Sequence, residues 1–111
     1  MKLGDKEYTP RYPIMSCIAL ENATGKSLFQ LVDDVYNNKA AGVGTLSAMI
    51  WAGILADEPK ITLNEVTELL QEEKPGRFRL AYKECFELLL AATSRLIVEE
   101  KGEPGEETEK N

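Results

Sequence analysis

The spacing of apolar and polar residues changes along the chain, and each change predicts an element. Residues 2–12 read as a short hairpin. Gly4-Asp5 or Asp5-Lys6 supplies a turn there, and Glu7 to Tyr12 reads as the returning strand with Tyr8 and Tyr12 on one face. Pro10 donates no ladder hydrogen bond, so this strand is expected at an edge. An isolated hairpin is barely stable in water, so it must pack on another element or pair with another chain. At Pro13 the period turns helical: Ile14, Cys17, Ile18 and Glu21 continue it, and Gly25 is the expected stop. Ser27 is placed to cap a second helix with the stripe Leu28, Leu31, Val32 and Val35. Asp33, Asp34 and Asn37 then fall on its wet side. Asn37-Asn38 and Gly42-Val43-Gly44 mark a loop, after which Thr45 is the expected cap of a third helix.

That third segment carries Leu46, Ala48, Met49, Ile50, Trp51, Ala52, Ile54 and Leu55 and is apolar nearly all round, as a helix at the centre of a bundle must be. Asp57-Glu58-Pro59 ends it. Thr62 and Glu65 have the spacing of a capping box, and Leu63, Val66, Leu69 and Leu70 form the stripe that follows. Pro75 disfavours helix at Lys74, which separates this element from a last helix running from Arg77 to Glu100. Phe78, Tyr82, Cys85, Phe86, Leu89, Thr93, Leu96 and Ile97 cover one face of it. Leu80, Ala81, Leu88, Ala91 and Ala92 add apolar surface beyond that face. Such a helix either lies centrally in the domain or presents part of itself as an interface.

The predicted fold is therefore α+β and mainly α: a short N-terminal β-hairpin followed by five helices. Residues 1–100 form a single domain. Residues 101–111 contain no large apolar side chain and are expected to be a disordered acidic tail. The 111 residues carry a formal charge of −6, and residues 99–111 hold six glutamates against two lysines. An acidic body is not steered toward nucleic acid or anionic membranes, so neither is expected as a partner. The longest apolar run, Ala48 to Ala56, is far below the roughly 20 residues of a membrane span. No apolar segment follows Lys2, so a secretory leader is not expected and the protein is placed in the cytoplasm. Cys17 and Cys85 each sit in apolar sequence and read as small buried hydrophobes in a reducing compartment.

The chain has no histidine, which excludes His-ligated zinc, Ser-His-Asp triads and Cys-His nucleophile pairs. Thr24-Gly25-Lys26-Ser27 ends like a phosphate-binding loop, but Leu20 stands where the pattern needs a glycine. A helix stop followed by an N-cap is the better account. Asp33-Asp34, Asp57-Glu58 and Glu72-Glu73 are adjacent carboxylates; neighbours on a helix diverge by about 100°, so they read as solvated faces. No catalytic residue, cofactor site or metal site is expected. Lys74, Arg77, Arg79 and Lys83, with Phe78 and Tyr82 between them, form a basic cluster at the start of the last helix. Cations there oppose the helix dipole. The cluster is either an amphipathic face with local glutamate partners or a contact for an acidic partner protein or subunit.

Four segments, in order, carry a resemblance: Leu3-Gly-Asp-Lys-Glu-Tyr8 in the hairpin, Leu20-Glu-Asn-Ala-Thr-Gly-Lys-Ser-Leu28 at the first helix end, Met49-Ile-Trp-Ala-Gly-Ile-Leu55, and Thr62-Leu-Asn-Glu-Val66. Over residues 3–100 this order resembles the tail assembly chaperones of long-tailed bacteriophages, prophages and gene-transfer agents. The resemblance implies a non-enzymatic protein that binds and solubilises the tape measure protein during tail morphogenesis and is absent from the mature tail. It further implies self-association, contact with the tail tube protein, and a longer form of the same protein made by ribosomal frameshifting. Glu109-Lys110-Asn111 admits the codons GAA-AAA-AAY, which contain a slippery A-AAA-AAY. Arg77, Phe78, Arg79, Tyr82 and Leu88 are the partner-binding residues expected from the basic, over-wide start and middle of the last helix. The competing expectation is a structural tail or head–tail connector protein retained in the particle.

Overall fold

The computed structural model describes residues 1–37 and 42–101. Two strands, β1 (Lys2–Leu3) and β2 (Lys6–Glu7), pair antiparallel with Leu3 opposite Lys6. The turn falls on Gly4-Asp5, where Gly4 has the positive φ of 61° that a tight turn needs. Five helices follow: α1 (Ile14–Thr24), α2 (Leu28–Tyr36), α3 (Val43–Leu55), α4 (Leu63–Gln71) and α5 (Arg77–Lys101). The α+β, mainly helical expectation is met, with a smaller hairpin than the expected return strand to Tyr12 implied. Pairing continues past β2 as Tyr8 N–H to the Met1 carbonyl at 2.7 Å and the Met1 amine to the Tyr8 carbonyl at 2.8 Å. The expected strand to Tyr12 does not form, because Pro10 has no donor and Arg11 N–H goes instead to the Gly53 carbonyl at 2.9 Å. Tyr8 and Tyr12 are nonetheless both buried.

The helix ends follow local chemistry. Gly25 closes α1 in the left-handed conformation at φ 72°, and Ser27 accepts from Gln30 N–H to open α2. The phosphate-loop-like run is therefore a stop and a start. Thr62 and Glu65 form the reciprocal capping box of α4. Thr62→Ala is expected to cost about 1 kcal/mol. Urea titration of the two proteins checks this, and an unchanged midpoint would show that the cap is redundant. The start of α3 is a correction. Gly42, not Thr45, is its N-cap, with Gly42 C=O accepting from Leu46 N–H at 3.1 Å. Val43 and Gly44 belong to the helix rather than the loop, while Asn38 to Ala41 lie outside the described residues.

At the centre lies α3, packed by α1, α4 and α5, with Ala48, Met49, Ile50, Ala52, Gly53 and Ile54 buried. The core also takes Leu20 from α1, Leu28 and Leu31 from α2, Val66 from α4 and Cys85 and Leu89 from α5. Ala81 and Ala92, expected outside the packed face of α5, are buried in it. They complete the row Ala81, Cys85, Leu89, Ala92, Leu96, whose spacing of four, four, three and four is one continuous helical stripe. Ile97, expected on the same face, is described only as part of α5; residues 102–111 of the expected tail lie outside the described residues, while Lys101 closes α5.

The carboxylate pairs also differ from expectation. Asp34 is 8% exposed rather than on the wet side of α2. It holds the Lys26 ammonium at 3.2 Å and accepts from the Gln30 side-chain amide at 2.7 Å, which compensates its burial. Glu73 accepts from Gly4 N–H at 2.6 Å, Asp57 from Thr9 N–H at 3.2 Å, and Glu58 pairs with Lys6. Three of these acids thus fasten the N-terminal segment to the ends of α3 and α4.

Candidate functional site

Large apolar side chains left in water identify the surface with the least structural explanation. Helix α1 turns Ser16, Cys17 and Leu20 inward, which leaves Ile14, Ile18 and Glu21 along its flank. Helix α2 buries Leu28, Leu31 and Asp34, so Phe29, Asp33 and Tyr36, at i, i+4 and i+7, form a second flank. Ile14, Ile18, Phe29 and Tyr36 are 62%, 45%, 48% and 70% exposed. Leu90, Ser94 and Leu96 of α5 complete two hollows that meet at Phe29. One, of about 420 Å³, lies between α2 and α5; the other, of about 210 Å³, lies between α1, α2 and the end of α5. The carboxylate of Glu21 accepts from Leu28 N–H at 2.7 Å, and that of Asp33 from the Asn37 amide, so both acids are held at the rim. No basic side chain is among the described residues lining either hollow.

The residues expected to bind a partner are divided by the fold. Arg77 and Arg79 are exposed, with Arg77 reaching back to Glu73 at 3.9 Å. Phe78 and Tyr82 meet edge to face with centroids 5.4 Å apart, half-buried against the core. Leu88, 39% exposed, lies roughly 9 Å further along α5 than Tyr82. It lines a different hollow with Pro13, Ala91 and Arg95. Phe29 and Tyr36 were missed because they lie off the Leu28–Leu31–Val32–Val35 stripe. Two aromatics seven residues apart on a nominally polar flank were the available signal. Ile14 and Ile18 share the helical spacing of Cys17 and Glu21, and that spacing alone does not say which side of α1 is covered.

Both cysteines are free and buried. Burial pushes the Cys85 thiol up to about 12, and likewise raises Cys17 and, well above its ordinary range, the Tyr12 phenol. A thiol or phenol raised by folding keeps its proton where the unfolded chain releases it. The stability tied to Cys85 is therefore intact below pH 9 and declines between pH 9 and about 12, at about 1.4 kcal/mol per pH unit. The stability gap between the wild type and Cys85→Ala should narrow across that window in urea titrations. A gap independent of pH would show that the thiol titrates in the folded state as it does in the unfolded one.

Among the described residues no group of three or more His, Cys, Asp or Glu could hold a metal ion, and no helix is long and apolar enough to cross a membrane. Comparison with family models, with curated proteins and with solved structures found no match.

Proposed function

We propose that this protein is a tail assembly chaperone of a long-tailed bacteriophage or prophage. It binds the tape measure protein in the bacterial cytoplasm, keeps it soluble while tail tube subunits assemble, and leaves the finished tail. The role is non-enzymatic. The resemblance over residues 3–100 suggests the family, and the observation that carries the reading is the run of exposed apolar side chains over α1 and α2, beside the half-buried Leu90 and Leu96 of α5. A long helical client with an apolar stripe needs such a cover, and several weakly held copies along it supply avidity while each remains releasable. Self-association and a frameshifted longer form belong to the same proposal.

The test is co-expression with the tape measure protein encoded beside it. Soluble tape measure protein that co-purifies with the chain is the expected result. Tape measure protein that stays insoluble in the mixture, or this chain found as a stoichiometric part of purified particles, overturns the chaperone reading. The second outcome would mark a structural tail protein.

A further inference from the structure

We infer that the two hollows on either side of Phe29 form one docking groove for an amphipathic α-helix of another protein, with apolar side chains at i, i+4 and i+7 and lysine or arginine along its edges. The inference rests on the reading of the protein as a holder of a helical client, and names the place and chemistry of that contact.

The shape argues for a helix. The groove lies between helices and offers no strand edge to an extended peptide. Phe29 stands as a ridge between two hollows, and a helix seats its own side chains on both sides of such a ridge. Phe29 to Tyr36 spans roughly 10 Å of α2, and Ile14 to Ile18 roughly 6 Å of α1, which is two to three turns of a docked helix.

The charge argues for a basic edge. Glu21 lines one hollow and Asp33 the other, and both are oriented by hydrogen bonds to their own elements. With no cation among the described lining residues and a chain charge of −6, a helix with acidic edges is repelled and one with basic edges is attracted. This is the opposite polarity to the cluster at Arg77, Arg79 and Lys83, none of which lines either hollow.

The experiment uses the full chain and two synthetic amphipathic helices of about 20 residues. They share leucines at i, i+4 and i+7 and differ only in lysine or glutamate at the edges. Fluorescence anisotropy at low salt should show the lysine-edged helix binding about tenfold tighter or more, with the difference shrinking as salt rises. Phe29→Asp and, independently, Ile18→Asp should abolish that binding while retaining the helical circular dichroism of the wild type. Asp33→Asn should reduce the preference by about twofold to fivefold. Equal affinity for both helices, binding of neither, or binding that both aspartate variants retain overturns the inference. So does a self-association through Phe29 that the lysine-edged helix cannot displace, because the occupant is then a second copy. Tape measure protein solubilised equally by wild type and Phe29→Asp would leave the chaperone reading standing and remove this site. Discrimination between the helices with no effect on tape measure protein would do the reverse.

Discussion

Gly53→Ala is expected to destabilise the protein by about 2–3 kcal/mol, lowering the thermal midpoint by on the order of 10 °C. The sign is the informative part. Glycine inside a helix ordinarily gains about 1 kcal/mol on replacement by alanine. Here an added Cβ would lie 2.8 Å from the Tyr12 hydroxyl oxygen, 3.0 Å from Tyr12 Cζ and 3.1 Å from Pro10 Cβ. None of these can withdraw freely. The Tyr12 hydroxyl donates to the Met49 carbonyl at 2.6 Å, and Arg11 N–H is tied to Gly53 itself. Gly44→Ala is the matched control on the same helix, since an added Cβ there meets nothing within 4 Å. It should raise stability by up to about 1 kcal/mol. If both substitutions stabilise, the segment over α3 yields, and the close approach at Gly53 is not a constraint on the fold.

Leu89→Asp is expected to unfold the domain, whereas Leu88→Asp should cost about 1 kcal/mol and leave the helical spectrum unchanged. The two leucines are neighbours in sequence and opposite in circumstance. Leu89 is 1% exposed in the central core, where a carboxylate would have no partner; a buried unpaired charge costs several kcal/mol, comparable with the whole stability of a small domain. Leu88 is 39% exposed beside Pro13 and Ala91. Under the chaperone proposal, the effect of Leu88→Asp falls on client binding or self-association. Urea titration followed by circular dichroism separates the two variants, and equal loss of structure in both would place Leu88 in the core.

What was legible in the sequence was local. Gly25, Ser27, Thr62 and Glu65 act within four residues of themselves, so their roles follow from spacing alone. The apolar circumference of α3 likewise required a central position, because water could not be left on any side of it. The same reasoning failed where a distant group competed for a local one. The strand expected through Tyr12 ends early because a helix 42 residues away in sequence takes the Arg11 donor at Gly53. Asp34 is a separate case: its partners Lys26 and Gln30 are near it in sequence, and they accompany it inward.

The candidate groove was less legible than the fold. Periodicity shows which residues of a helix share a side, but it does not say which side a neighbour will cover. Ile14 and Ile18 lie on an apolar row that could equally have packed inward, and the placement of α1 against α3 left them at the rim. The sequence by itself determined the number of helices, the caps at Gly25, Ser27 and Thr62, and the centrality of α3, because backbone chemistry and apolar periodicity act over a few residues. The tertiary structure decided how far the hairpin extends, which carboxylates are buried, that Ala81 and Ala92 join the core, and that Phe29 stands between two hollows. Each of these depends on which helix packs on which, and close packing is settled by contacts between residues far apart in the chain.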